Sequence, residues 1–267
     1  MDKIHYCCLT VAGSDSGGNA GVQADLRVFN DYRIHGCTAF TALTAQNPNG
    51  VYGVHPVPAE FVAAQLDAVL GVYSIAALKT GMLCEPSVVE AVAEKLTSRP
   101  DIQKVVDPVM VATSGARLAK DVSVERMKRK LLPLATIITP NIPEAEILSG
   151  YRISRSEDVK LAARRLYDTY GCAVLVKGGH SDGSLGVASD MLFDGDEFIV
   201  YTLPWVKNPV STHGTGCSLA AAIAAELALG SDIRTAVKGA KRYVHRAISN
   251  SYLVGVNCGV LGCVAKE

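Results

Sequence analysis

The sequence predicts a three-layer α/β/α fold, with a mainly parallel central sheet, helices on both faces and a small hairpin at one edge. Three observations predict it. Short β-branched runs alternate with longer apolar stretches at helical spacing along the chain. Residues 185–193 and 197–203 flank Asp194-Gly195, a strong hairpin signal. No repeat, low-complexity tract or linker rich in Pro, Gly or Ser divides the 267 residues, so a single domain over 1–267 is expected.

In order, residues 4–11 read as a buried strand ending at Gly13, and Val22, Leu26 and Phe29 place a helix after the 14–21 loop. Residues 37–44 form a second strand. Pro58 opens a helix carrying Phe61, Leu66 and Val69. Residues 74–79 are a third strand, Pro86 opens the next helix, and the strand 104–106 runs into Asp107-Pro108. A helix over about 122–132 leads to the strand 136–139, which Pro140-Asn141 breaks. Helices continue to about Tyr170, and a short strand over 173–176 ends at Lys177-Gly178-Gly179. Beyond the hairpin, Gly214 opens an Ala-rich helix, and a last helix covers about 232–253.

Composition excludes several classes. The chain has 26 basic and 26 acidic side chains, so nothing suggests a broad footprint for nucleic acid or an anionic membrane. The longest apolar run, near 219–229, is interrupted by Glu226 and too short to span a bilayer. The start of the chain lacks the charged-then-apolar pattern of a signal peptide. Eight cysteines without a C-x-x-C pair or the His spacing typical of zinc read as reduced, mostly buried thiols. A cytoplasmic protein is expected.

In a parallel α/β sheet, ligands bind beyond the carboxyl ends of the strands. The unusual residues fall there: 13–18, 44–47, 107–110, 139–141 and 177–180. The most specific segment is Thr212-His213-Gly214-Thr215-Gly216-Cys217, entering a helix. Two glycines admit a ligand to the backbone, and the amides of a helix start suit an anion. The same field would lower the pKa of a thiol in the first turn. No G-x-x-x-x-G-K-[ST] and no G-x-G-x-x-G after the first strand occur, which argues against Walker-type and dinucleotide-binding sites. Asn141 with Glu144 three residues on is also a capping box, which requires no function. Asp25, in mid-helix, reads equally as part of a solvated face.

Together, Gly21-Val22-Gln23-Ala24-Asp25-Leu26, Thr41 to Asn47, Thr80-Gly81-Met82-Leu83, Thr139 to Glu144 and His213 to Cys217 resemble the ribokinase superfamily. Within it, the chain is most similar to the hydroxymethylpyrimidine/phosphomethylpyrimidine kinases of thiamine biosynthesis. The resemblance implies a ribokinase-like fold and an ATP- and Mg2+-dependent kinase. Its implied substrate is 4-amino-5-hydroxymethyl-2-methylpyrimidine, then the monophosphate, which becomes the pyrophosphate. A homodimer is also implied.

By the same resemblance, Gln46 hydrogen-bonds the aminopyrimidine edge, while Gly13, Met82 and Val109 line the pocket. An amide suits that edge because it both donates and accepts. Asn141, Thr215 and Lys177 meet nucleotide phosphates, and Asp107 and Glu144 hold magnesium directly or through water. Gly214, Gly216 and Lys177 stabilise the transferring group, Cys217 accepts the hydroxyl proton, and Lys241 is a further substrate-side lysine.

Where much of the superfamily has Asp, this chain has Cys217, as do some pyridoxal kinases. Those carry a second cysteine where this chain has Val111-Ala112 and lack a glutamine at the position of Gln46. Both differences favour the pyrimidine; pyridoxal kinase is the alternative, and a catalytically silent pyrimidine-binding regulator is the second. The 16–21 loop is one residue longer than usual, and 207–211 is atypical.

Overall fold

Nine strands build one sheet in the computed structural model, which describes residues 6–110, 121–178 and 186–264. They are β1 (Cys7–Asp15), β2 (His35–Asn47), β3 (Gly50–Pro56), β4 (Ile75–Thr80), β5 (Gln103–Val106), β6 (Ile137–Ile138), β7 (Ala173–Lys177), β8 (Val187–Phe193) and β9 (Phe198–Pro204). The spatial order is β3-β2-β1-β4-β5-β6-β7-β8-β9. In that order the six strands from β2 to β7 run parallel, so their carboxyl ends share one rim.

Helices cover both faces. On one side lie α1 (Gly21–Asp31), α7 (Thr215–Ala228) and α8 (Ile233–Ser249); on the other lie α2 (Ala59–Leu70), α3 (Pro86–Thr97), α4 (Asp121–Arg126), α5 (Ile142–Ser149) and α6 (Ser156–Tyr170). Strand alternation feeds both layers. Leu9 and Val11 of β1 enter the α2–α6 core, while Cys8, next to Leu9, enters the α1/α7/α8 core. α7 is buried on every side from Ser218 to Ala228 and is apolar there except for Ser218 and Glu226. Pro86 occupies the first turn of α3, and Pro58 stands just ahead of α2 as its cap.

The expected β8–β9 hairpin closes one edge. The opposite edge differs from expectation: β3 folds back antiparallel on β2, an element the apolar pattern of 50–56 did not predict. The last helix also stops earlier. α8 ends at Ser249, and the β-branched and glycine-containing segment beyond it makes a separate hairpin, β10 (Tyr252–Gly255) with β11 (Cys258–Val260). The expected helix over 122–132 is α4 continued by a π turn and a 3-10 turn up to Leu134.

Candidate active site

The start of α7 faces the rim of the parallel strands. Gly214 caps it at φ +87°, and a side chain there would collide with the Asn19 carbonyl. Only glycine fits this left-handed, crowded position. No side chain caps the helix, so its first N–H groups are offered to a ligand. The Thr215 hydroxyl donates to the Thr212 carbonyl at 3.0 Å and tightens the turn. Gly216 borders a cation: a Cβ there would lie 3.7 Å from Lys177 Nζ.

Lys177, at the end of β7, donates to Asp107 Oδ1 at 2.7 Å. Thr139 Oγ1 donates to the same oxygen at 3.0 Å. Burial disfavours the Lys177 ammonium, but Asp107 and Glu144 outweigh that cost and hold its pKa above the usual value. Asn141 caps α5: its Oδ1 accepts from Glu144 N at 2.9 Å, while Glu144 Oε2 accepts from Asn141 N at 2.8 Å. The capping box is therefore real, and it holds Glu144 near Asp107. Burial pushes the Glu144 carboxyl up to about 7, with Asp107 adding to the rise and Lys177 opposing it.

Two hard-oxygen carboxylates in one desolvated corner fit a magnesium ion, because a dication would relieve their repulsion. Among the described residues, two buried side-chain polar atoms lack a hydrogen-bond partner, Asn19 Oδ1 and Thr80 Oγ1. Both stand at this rim: Thr80 ends β4 and its carbonyl accepts from Asp107 N at 3.0 Å, while the Asn19 carbonyl lies against Gly214.

A raised carboxyl sets a sign for stability. Protonated Glu144 is tolerated in the fold and ionised Glu144 is penalised, so its contribution is complete below its unfolded pKa of about 4.5 and is lost as pH rises through about 7. Glu144→Gln keeps the cap without the charge. Thermal unfolding of the magnesium-free protein is expected to favour the variant progressively between pH ~5 and ~8, with added Mg2+ restoring the wild type. A constant difference across that range would leave Glu144 a cap alone.

The 16–21 loop closes the other side of the rim. Asp15 accepts from the backbone N–H groups of Gly17, Asn19 and Ala20 at 2.8, 3.0 and 2.8 Å, with His213 Nε2 at 4.0 Å. The long loop is thus tied to β1 and lies against Gly214. Gly13 is in contact with Met82, and Thr41 Oγ1 donates to the Met82 carbonyl at 2.6 Å. Gln46, at the end of β2, is part-exposed; its Oε1 accepts from Thr44 Oγ1 at 3.3 Å, and its backbone exchanges hydrogen bonds with Ser16. Val109 follows Asp107 at the β5 exit, part-exposed. Lys241 reaches the site only indirectly: its ammonium donates to Asp190 Oδ2 at 2.6 Å, and Asp190 Oδ1 accepts from Gly178 N at 2.9 Å. His180 and Val111-Ala112 lie outside the described residues.

Cys217 departs from the expected thiolate. It is part-exposed by surface area, yet the protein interior encloses it on its other sides. Desolvation raises its pKa and, with the Asp25 and Asp107 carboxylates adding to the rise, outweighs the Lys79 ammonium and the Gly21 N–H that favour the charged form. The sequence reading also missed what lies beneath. Asp25 is fully buried, not solvated: Lys79 Nζ donates to its two oxygens at 3.0 and 2.9 Å, and Thr10 Oγ1 donates at 2.6 Å. Desolvation pushes Asp25 up, but with three short donor contacts we take the pair as ionised. Asp25 lies three residues after Val22 and four before Phe29, on the buried stripe of α1, and that spacing was the available signal.

The phosphomethylpyrimidine kinase family profile matches residues 15–262. The chain belongs to the phosphomethylpyrimidine kinase family. A hydroxymethylpyrimidine/phosphomethylpyrimidine kinase of Bacillus subtilis is 44% identical over 254 residues, which are 95% of this chain and 93% of that one. The thiamine biosynthesis bifunctional protein ThiED of Geobacter sulfurreducens is 49% identical over 240 residues; the match takes in 90% of this chain but only 48% of that longer protein. A solved pyridoxal kinase of Bacillus subtilis, in complex with ADP, superposes with a TM-score of 0.88 at 33% identity over 98% of both chains. The fold is thus ribokinase-like, and this member of the family is a phosphotransferase of thiamine biosynthesis.

Proposed function

We propose that the chain, acting as one domain over 1–267, uses ATP and Mg2+ to phosphorylate 4-amino-5-hydroxymethyl-2-methylpyrimidine and then its monophosphate. The observation that carries this is the uncapped start of α7, with the Lys177–Asp107 pair beside Gly216. Phosphoryl transfer needs positioning and neutralisation of spreading charge more than covalent chemistry. The amides of Gly214, Thr215 and Gly216 and the Lys177 ammonium supply that at fixed positions. Asn141 sits beside Lys177 through a backbone bridge and faces the phosphates. Magnesium, held by Asp107 and Glu144, supplies charge neutralisation at the phosphates.

The pyrimidine lies between Gly13, Met82 and Val109, with Gln46 on its amino edge. Lys241 acts through Asp190, which holds the Gly178 N–H beside Lys177. Cys217 takes the proton of the accepting hydroxyl.

A cytoplasmic homodimer completes the reading. Among the described residues no helix is long and apolar enough to cross a membrane, none of the eight cysteines forms a disulfide, as a reducing compartment would keep them, and β3 leaves an open sheet edge with Tyr52 and Val54 exposed.

The test is ATP consumption with the hydroxymethylpyrimidine, with pyridoxal and with neither, followed by identification of the product. Pyridoxal as the preferred acceptor would transfer the site to the second reading, which the superposition on pyridoxal kinase favours. ATP binding without turnover on either would leave the silent regulator. Gln46→Leu is expected to weaken kcat/KM for the pyrimidine by roughly 1–3 kcal/mol, since ring polar atoms lose their partner in a desolvated site. ATP affinity should hold; an unchanged acceptor profile takes Gln46 out of the pocket.

A further inference from the structure

Cys7 opens β1 and His35 opens the neighbouring parallel strand β2, so the two residues are paired in register. Cys37 lies two positions further along β2, opposite Leu9, with its side chain on the same face as that of Cys7. Among the described residues this is a group of three metal-ligating side chains whose donor atoms all lie within 4.8 Å of one another. We propose that Cys7, Cys37 and His35 form a binding site for a thiophilic divalent cation of the zinc class.

The spacing fits that ion. The two sulfurs are 3.6 Å apart, and a tetrahedral centre with zinc–sulfur bonds of about 2.3 Å sets its sulfurs about 3.8 Å apart. The imidazole is positioned: its ring stacks on Tyr73, with centroids 5.6 Å apart and planes 14° from parallel. The two cysteines are buried and His35 is exposed, so the ion has an entry path and the fourth position faces solvent. A purely apolar role explains two thiols in the core, but not an exposed imidazole brought to the same point. A donor set of two sulfurs and one imidazole nitrogen selects a soft ion over magnesium.

The site is remote from the chemistry. Cys7 and Asp15 stand at opposite ends of β1, roughly 26 Å apart at the usual rise of a strand. A bound ion would tie the starts of β1 and β2 and leave the phosphoryl-transfer rim untouched. Its ligands come from neighbouring strands and not from a C-x-x-C segment, which is why the linear spacing showed no zinc pattern.

The test uses the full chain, freed of metal and titrated with Co2+ as the probe. One equivalent is expected to bind, with thiolate-to-cobalt charge-transfer absorption and the visible bands of a tetrahedral site, both removed by Zn2+. His35→Ala, at an exposed position, should weaken binding by at least the roughly 10–100-fold that loss of even a supporting group costs, with kinase activity unchanged. Cys37→Ala should abolish the charge-transfer band. Binding of equal affinity in wild type and His35→Ala, or no stoichiometric binding in the wild type, overturns the assignment, whatever the stability of the buried cysteine variant.

Discussion

Cys217→Ala is expected to lose roughly 10²–10⁴ in turnover on the alcohol while ATP affinity stays within a few-fold, because the part we propose for the residue is to remove a proton from the attacking hydroxyl. The amides around it, the Lys177 ammonium and the capped start of α5 remain in place, so phosphate binding is not at issue. Burial holds the thiol above its ordinary pKa, so only a small fraction is thiolate near neutrality. The rate on the alcohol should therefore climb with pH across the neutral range. Cys217→Asp supplies an acceptor that is already ionised; it should recover much of the loss and flatten that climb. Phosphorylation of the monophosphate begins from an oxygen that is already anionic and should suffer less in Cys217→Ala. Equal losses on both acceptors, or a pH profile unchanged by the aspartate, would make Cys217 a packing residue of the helix start.

That pH dependence runs against the first expectation from the sequence, and the reason is physical. His213-Gly214-Thr215-Gly216-Cys217 displays a helix start and so a field that favours a thiolate. It does not display the protein that closes around the sulfur, and desolvation is the larger effect. The same division holds elsewhere. Alternation of strand and helix, Pro86 and Asp194-Gly195 are local signals, and the elements they mark are present. The Asn141–Glu144 box was legible because capping is also local. Placement of Glu144 near Asp107 depends on β5 and β6 being neighbours, which no local pattern encodes. β3 was overlooked although Asn49-Gly50 is a turn signal, because few large apolar residues stand out in 50–56 and its side chains are mostly exposed. Beyond Ser249, an apolar run too short to be assigned by periodicity was absorbed into the preceding helix. The pairing of Lys241, expected on the substrate side, with Asp190 was not legible because Asp190 lies on a strand 51 residues away in the sequence.

The largest stability effect should come from the pair beneath the anion loop. Lys79 and Asp25 have no exposed side-chain surface, so neither can turn to water when the other is removed. Asp25→Ala strands an ammonium, and Lys79→Met strands a carboxylate that retains only Thr10 as donor. Each is expected to cost roughly 3–5 kcal/mol in urea unfolding, the usual penalty for breaking a buried pair. The double change Asp25→Leu with Lys79→Met removes both charges and should recover most of that loss, because two desolvation costs disappear with the attraction. Stability alone would not connect the pair to catalysis. Lys79 favours the Cys217 thiolate and Asp25 disfavours it more weakly, so loss of Lys79 leaves desolvation of the sulfur less opposed and loss of both offsets part of that change. Lys79→Met alone, where it still folds and binds ATP, should move the alkaline climb of the alcohol reaction to higher pH, and the double variant should move it less, because Asp25 opposes the thiolate. A double variant no more stable than the single ones would show that the site was not repacked by apolar groups. Wild-type stability in Asp25→Ala would mean that the pair is not ionised in the fold, and an unshifted pH profile in a folded Lys79→Met variant would separate the pair from the chemistry above it.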